Sequence, residues 1–230
     1  GAALMKIGLI PVNMAVADSR HLLSAAMKAE AIGIESLWTF EHVIIPIDYE
    51  SKYPYNATGK MGAPPETNLV DPLIALAAIA SCTSKIRLAT GVNILSQTNP
   101  LYLAKQAASL DFVSNGRFML GVGIGWLREE FDALGVPFEH RGARFDDYVA
   151  AMRKVWSGEV VEQGEAQRLV AVQQVEKLGA SAFGRTKRHQ LGQSLDGFGH
   201  MGAELSQCRT RSRCRGIDVA AMEDRGEPGI

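Results

Sequence analysis

Cysteine is scarce in this chain, which contains only Cys82, Cys208 and Cys214. Three cysteines do not make a disulfide framework, and they suit a reducing compartment, so the sequence predicts a cytoplasmic protein. Cys208 and Cys214, with His200 nearby, lack the ligand spacing of known zinc sites. We therefore expect no metal centre.

Long apolar runs and an excess of charge are also missing. No run is long enough to span a bilayer, and no signal-peptide pattern is present. The net charge at pH 7 is −1, from 24 Lys and Arg against 25 Asp and Glu. A chain without excess positive charge has little attraction for nucleic acid or for an anionic membrane. We expect neither as a partner.

Strand and helix patterns alternate through the first part of the chain. Apolar runs predict buried strands near 6–11, 34–41, 86–92 and 117–123. Helices are expected after the caps Asp18, Asp71 and Asn99, and again over 128–134 and 145–156. Residues 46–70 have no clear period and are predicted to form a long loop. This order predicts an α/β fold with a parallel sheet and right-handed crossovers. A complete eightfold barrel takes about 250 residues, so four such units would be half of one.

Three glycines, Gly121, Gly123 and Gly125, follow the fourth predicted strand at every second position. Alternate residues of a strand point to the same face, so these glycines leave one face without side chains. Two interpretations remain open. The glycines form a smooth floor for a ligand at the C-terminal end of the strand, or they simply allow close packing. Their spacing does not match the dinucleotide-binding G-x-G-x-x-G pattern.

The sequence changes character at about Gln163. Residues 163–230 are rich in Gln, Gly, Arg and Ser, with apolar residues scattered singly. Residues 166–178 are compatible with one helix, and no strand is evident after them. We expect a divergent tail, disordered or produced by a shifted reading frame, that does not complete a barrel. The first and fourth strands would then keep open edges, which predicts a homodimer or a larger assembly.

Several motifs of the first part, taken in order, resemble one known family. The chain from Met5 to about Glu162 resembles the bacterial luciferase-like flavin and deazaflavin oxidoreductases. The resemblance implies a (β/α)8 barrel that holds coenzyme F420 or FMN at its C-terminal face. It also implies hydride transfer or oxygenation of a small organic substrate. The motifs are Ile7-Gly8-Leu9, Ser36 to His42, Ile86 to Val92, Asn99 to Gln106, Ser114 to Phe118, Gly121 to Trp126 and Gly135 to Phe138.

The resemblance assigns a catalytic pair to Glu41 and His42, at the end of the second predicted strand. Similar deazaflavin enzymes hold a carboxylate and a histidine against the cofactor ring at this position. Imidazole suits proton transfer there, because its pKa lies near neutrality. From the residues alone, a histidine beside a glutamate is more often a surface pair, and the resemblance reverses that preference.

Cofactor contacts are also implied by the resemblance. A bulge behind the ring is expected at Val92, Asn93 and Ile94, with a non-proline cis peptide at Asn93–Ile94. The alternative is an ordinary turn. The three glycines and Trp126 complete the predicted cofactor site. Trp126 replaces the catalytic glutamate of sugar-phosphate dehydrogenases, which argues against that substrate class, although a lid or core role for this ring stays open.

One position favours the deazaflavin. True luciferases place an arginine for the FMN phosphate where this chain has Ile124, and isoleucine cannot pair with a phosphate. F420 is therefore preferred to FMN. His140, Arg141 and Arg144, just before the helix predicted from Phe145, form either an anion site or a solvated helix start, and we favour the latter.

The sequence supports three hypotheses of function. The first is a flavin- or deazaflavin-dependent oxidoreductase. The second is a flavin-binding homologue without catalysis, and the third is a truncated gene product without activity.

Overall fold

A computed structural model describes residues 5–157, 160–162, 168–170, 211–214 and 217–221. Seven of the nine strands form one sheet in the order β1-β2-β3-β5-β9-β8, with β4 also paired to β5. The other two, β6 and β7, pair antiparallel with each other. The strands are β1 Gly8–Leu9, β2 Ser36–Thr39, β3 Arg87–Thr90, β4 Asn93–Ile94, β5 Phe118–Gly123, β6 Val160–Glu162, β7 Arg168–Val170, β8 Arg211–Cys214 and β9 Ile217–Ala221.

The helices begin where the sequence predicts their caps. A side-chain oxygen of Asp18 accepts from the His21 amide at 2.9 Å, and one of Asp71 accepts from the Ile74 amide at 2.9 Å. Asn99 caps the third helix in the same way, through the Leu101 amide at 3.0 Å. Such caps satisfy amides that have no partner within the helix. The helices are α1 Ser19–Ala31, α2 Pro72–Cys82, α3 Pro100–Val113, α4 Arg128–Ala133 and α5 Arg141–Ser157. None of the helices within the described ranges is long and apolar enough to cross a membrane.

The four predicted βα units are confirmed as consecutive parallel units. β1 pairs with β2, β2 with β3 and β3 with β5, and all three pairings are parallel. The helices α1, α2, α3 and α5 pack against one another in chain order over this sheet. Their shared core includes side chains that are at most 1% exposed, among them Leu76, Ile79, Leu88, Leu103 and Leu120. Burying each such side chain contributes roughly 1.5–3 kcal/mol. The α/β class and the parallel sheet agree with the sequence prediction.

The tail contributes strands that the sequence did not reveal. β9 runs parallel to β5 with Leu120 opposite Val219, and β8 runs antiparallel to β9. The helix expected over 166–178 is wrong at Arg168–Val170, which forms β7, and residues 171–178 lie outside the described ranges. The sequence did not predict these tail strands because they are short and are interrupted by polar residues, so they lack the apolar runs of buried strands.

The edges of the sheet are therefore only partly as expected. The fourth predicted strand, β5, is paired with β9, so its predicted open edge is wrong. β1 still ends the sheet within the described part of the chain, as predicted. The proposed boundary between the two parts at Glu162 stays a prediction.

Each of the three glycines lies against one residue of the segment that runs from the end of β3 into β4. A Cβ on Gly121 would lie 2.1 Å from the Thr90 carbonyl oxygen, and one on Gly123 would lie 2.7 Å from Cγ2 of Val92. At Gly125 a Cβ would lie 2.7 Å from Cγ2 of Ile94. Thr90 also bonds the backbone of Gly121 twice, since its hydroxyl donates to the carbonyl at 2.7 Å and accepts from the amide at 2.9 Å. Close packing therefore accounts for the three glycines.

We predict that Gly121→Ala destabilises the protein by about 3 kcal/mol, because the new methyl group meets backbone rather than a movable side chain. Chemical unfolding measures the effect. Gly142→Ala is the matched control, because a Cβ at Gly142 meets nothing within 4 Å and alanine favours the helix. Equal stabilities of the two variants would contradict the packing argument.

Candidate active site

Residues predicted separately from the sequence meet at the C-terminal ends of β2, β4 and β5. Glu41 and His42 follow β2, Asn93 and Ile94 form β4, and Trp126 follows β5. The carboxyl ends of parallel strands share one edge of a sheet, so residues distant in sequence converge there. Hydrogen bonds and ring contacts join them.

His42 is held from two sides. Its Nδ1 lies 2.9 Å from Oε2 of Glu130, and the His42 and Glu130 side chains are 11% and 1% exposed. The His42 ring also meets Trp126 edge to face, with ring centroids 6.1 Å apart and planes at 84°. No hydrogen bond to Nε2 comes from the described residues. The ring is thus fixed in orientation through Nδ1 and through its contact with Trp126.

Glu130 is a site residue that sequence reasoning missed. It lies in the first turn of α4, and its Oε1 accepts from the amides of Val43 at 2.7 Å and Ile44 at 3.4 Å. The carboxylate therefore joins α4 to the loop after β2. The available signal was the adjacent pair Glu129-Glu130 directly after the glycine-rich strand, but it gave no indication of a partner.

The neighbouring Glu129 holds the same loop further along. Its Oε1 accepts from the amides of Glu50 at 2.6 Å and Ser51 at 3.1 Å, and its Oε2 accepts from the Ser51 hydroxyl at 2.7 Å. Burial raises the pKa of Glu129, but the Ser51 hydroxyl and the amides outweigh it and lower the pKa to about 2. Glu129 is thus a stable anion that fastens the loop to α4.

Glu41 lies in a different environment. Its carboxyl accepts from Nδ2 of Asn93 at 2.8 Å and from the amide of Ile94. Burial is the largest cause that raises the pKa of Glu41, and the negative charges of Asp71 and Glu130 add to it. The Ile94 amide acts in the opposite direction, and the pKa reaches about 7. A carboxyl with such a pKa exchanges its proton near neutral pH, as general acids and bases do.

Asn93 supplies an unpartnered acceptor. Asn93 is 2% exposed, and its Oδ1 has no hydrogen-bond partner within the described part of the chain. A buried polar atom without a partner costs about 1–3 kcal/mol. Flavin and deazaflavin rings carry an imide N–H, a donor of the kind that Oδ1 lacks. The residues present therefore fit a ring of this class.

The non-proline cis peptide lies at Gly91–Val92, so the predicted position at Asn93–Ile94 is wrong. Asn93 and Ile94 are instead extended as β4, opposite Val122 and Gly123 of β5. The pairing with β5 accounts for the extended backbone at this point.

The arginines after the site bind backbone carbonyls. Nε of Arg141 donates to the carbonyl of Gly125 at 3.0 Å, and Nε of Arg144 donates to that of Ser96 at 3.0 Å. Both lie within α5, which begins at Arg141, so placing them before the helix was wrong. Only His140 precedes the helix, with a positive φ of 55°. The two arginines fasten α5 to the loops that carry the site.

Trp126 is the centre of an aromatic cluster that the sequence did not reveal. Its ring centroid lies 5.8 Å from that of Tyr49 and 5.2 Å from that of Tyr53, in addition to its contact with His42. Both tyrosines belong to the long loop predicted over 46–70. The loop thus brings rings next to the candidate catalytic histidine.

Known proteins share this sequence and fold. An uncharacterised protein of Mycobacterium tuberculosis (strain ATCC 25618 / H37Rv) is 37% identical over 138 residues, which cover 59% of this chain and 48% of the relative. The chain spans about half the length of this and other curated relatives that it matches.

The names of two further relatives state the cofactor on which each enzyme depends. The F420-dependent glucose-6-phosphate dehydrogenase of Amycolatopsis mediterranei is 28% identical over 66% of this chain and 42% of the relative. The oxygenase component of the flavin-dependent trigonelline monooxygenase of Acinetobacter baylyi is 30% identical over 63% of this chain and 36% of the relative.

The fold and the sequence agree on the family. The crystal structure of monooxygenase RslO1 from Streptomyces bottropensis superposes with a TM-score of 0.56 at 32% identity, covering 74% of this chain and 49% of that one. The sequence matches the luciferase-like monooxygenase family over residues 6–183, which is well over half of the chain. The α/β sheet described above is accordingly that of a luciferase-like barrel protein, and the chain belongs to the luciferase-like monooxygenase family.

Proposed function

We propose that this chain is a flavin- or deazaflavin-dependent oxidoreductase that transfers hydride to or from a small organic substrate, or oxygenates it. The observation that carries the proposal is the convergence of three features at one edge of the sheet. They are a histidine fixed through Nδ1, a buried asparagine oxygen without a partner, and a carboxyl whose pKa is about 7. Proton-transfer groups beside a polar contact for a ring are what such chemistry requires.

The proposed cofactor is coenzyme F420, with FMN as the alternative. Luciferases are expected to hold the FMN phosphate with an arginine at the position of Ile124, so the isoleucine supports F420. One relative is named as F420-dependent and another as flavin-dependent. Asn93, with Val92 and Ile94 beside it, would hold the ring next to Trp126. Gly121, Gly123 and Gly125 would contribute by letting the segment that carries Asn93 lie close against β5. When bound, the cofactor ring supplies or accepts the hydride.

The chain's own groups would manage protons and exclude water. His42 would accept or donate a proton at Nε2, and Glu41 would hold or release one near neutral pH. Trp126 and the tyrosines next to it would bound the substrate and limit its contact with solvent. Because Trp126 has no carboxylate, we do not propose a sugar phosphate as the substrate.

The proposal includes a homodimer and a cytoplasmic location. Helix α2 has no charged residue, yet Ile74 on it is 67% exposed, and β1 leaves a sheet edge within the described residues. Exposed apolar surface and free strand edges favour association. The free thiol of Cys82 is consistent with a reducing compartment.

A parallel fluorescence titration with F420 and FMN tests the cofactor. We expect F420 to bind at least ten times more tightly, because no arginine at position 124 is available for the FMN phosphate. Asn93→Ala should weaken binding about tenfold, which corresponds to about 1.4 kcal/mol. Asn56→Ala, in an exposed loop, is the control. Tighter FMN binding would reverse the cofactor preference, and binding of neither cofactor would favour the third hypothesis, a gene product without activity.

Glu41 makes a testable contribution to the pH dependence of stability. Its pKa is about 7 in the folded protein and near the ordinary glutamate value of 4.5 in the unfolded chain. The unfolded chain therefore releases this proton first, so the free energy of unfolding falls as pH rises from about 4.5 to 7. We expect this loss to be on the order of 3 kcal/mol, because each pKa unit corresponds to about 1.4 kcal/mol, and Glu41→Gln should remove it.

Urea unfolding at pH 5 and pH 8 measures the difference. The control is Glu66→Gln, at an exposed position, which should keep the wild-type slope. The same slope in Glu41→Gln as in the wild type would show that another group is responsible.

Sedimentation velocity at micromolar concentration tests assembly, and a dimer is expected. Ile74→Glu should shift the protein toward monomer by placing a charge on the apolar helix. Met27→Glu, on α1 and 47% exposed, is the matched control and should leave the dimer intact. A wild-type monomer would refute the proposed assembly.

A further inference from the structure

Glu130 uses both of its oxygens inside the protein. Oε1 accepts from the amides of Val43 and Ile44, and Oε2 lies 2.9 Å from Nδ1 of His42. The residue is 0% exposed, so water does not compete for these positions. Backbone amides can only donate, which fixes Oε1 as an acceptor.

The carboxylate of Glu130 determines which nitrogen of His42 carries the imidazole proton. A carboxylate accepts hydrogen bonds and has no proton to donate. A neutral imidazole carries one proton, on either Nδ1 or Nε2. Next to Oε2, that proton belongs on Nδ1, which leaves the lone pair on Nε2.

We propose that Glu130 is a positioning residue that fixes His42 as the Nδ1–H tautomer and so presents Nε2 to the site as a proton acceptor. The identity of the proton donor rests on the proposed function. A hydroxyl of the bound substrate would lose its proton to Nε2, breaking one O–H bond and forming one N–H bond. The resulting imidazolium would lie beside the Glu130 carboxylate, which stabilises its charge.

The structure of α4 keeps Glu130 in place. The Glu130 amide donates to the carbonyl of Leu127 at 3.1 Å, and the next residue, Phe131, is 0% exposed. Trp126, four residues before Glu130, contacts the His42 ring. The segment 126–130 therefore controls both the orientation of the ring and the position of its proton.

Nitrogen NMR of the full chain labelled with [15N]histidine tests the proposal, since the two tautomers give different nitrogen shifts. The His42 signals are assigned by their loss in His42→Asn. Above the titration of the ring, we expect Nδ1 to be protonated in the wild-type protein.

Glu130→Gln should reverse the tautomer without changing the shape of the side chain. The glutamine carbonyl can still accept from the amides of Val43 and Ile44. Its NH2 group then faces Nδ1 and donates to it, so the imidazole proton moves to Nε2. Glu129→Gln is the matched control, because Glu129 binds residues 50 and 51 and should leave the His42 tautomer unchanged.

Either of two results would overturn the proposal: a wild-type His42 protonated on Nε2, or an unchanged tautomer in a folded Glu130→Gln. Should that variant fail to fold, the wild-type spectrum still decides. The measurement needs no cofactor or substrate. Absence of F420 and FMN binding, together with the expected tautomers, would therefore refute the proposed function and leave the role of Glu130 intact.

Discussion

The close approach of Thr90 to Gly121 is the constraint on which the candidate site depends. The Thr90 carbonyl occupies the space that a side chain at Gly121 would need, and its hydroxyl bonds both polar groups of the Gly121 backbone. This contact sets the distance between β3 and β5. Val92 then lies against Gly123 and Ile94 against Gly125, so the chain after β3 follows the chain after β5 with alternate residues in contact. Asn93 and Trp126 reach the neighbourhood of His42 as a result.

Three glutamates near this edge have different roles because their surroundings differ. Glu129 accepts from a hydroxyl and from backbone amides, and these donors keep it ionised. Glu130 accepts from two amides and faces an imidazole, so it acts on the orientation of another side chain. Glu41 is buried with fewer donors, and its burial together with two negative neighbours raises its pKa to about 7. Burial and the number of donors, rather than residue type, distinguish Glu41 from the two glutamates that fasten the loop.

The sequence predicted the parts of the fold that have local causes. Asp18, Asp71 and Asn99 marked helix starts because a cap bonds amides two or three residues ahead, and apolar runs marked the four parallel strands. It did not predict contacts across long separations, such as that of His42 with Glu130, 88 residues apart. β9 was missed because its pairing with β5, rather than its own composition, makes it a strand. For the site, motif resemblance named residues that the structure brings to one edge of the sheet, but it placed the cis peptide incorrectly and omitted both Glu130 and the loop tyrosines.

The geometry links the aromatic loop to the position of His42. Trp126 contacts His42 and the tyrosines of the loop, and that loop is held by Glu129 and Glu130 on the same short helix. A movement of α4 would therefore shift the aromatic wall and the histidine together. A loop attached only to itself could change shape while leaving the histidine unaffected. Here the amides of Val43 and Ile44 bind the carboxylate that orients His42, so the loop cannot leave α4 without releasing the imidazole. An ordered loop and a correctly oriented histidine are consequently one structural state.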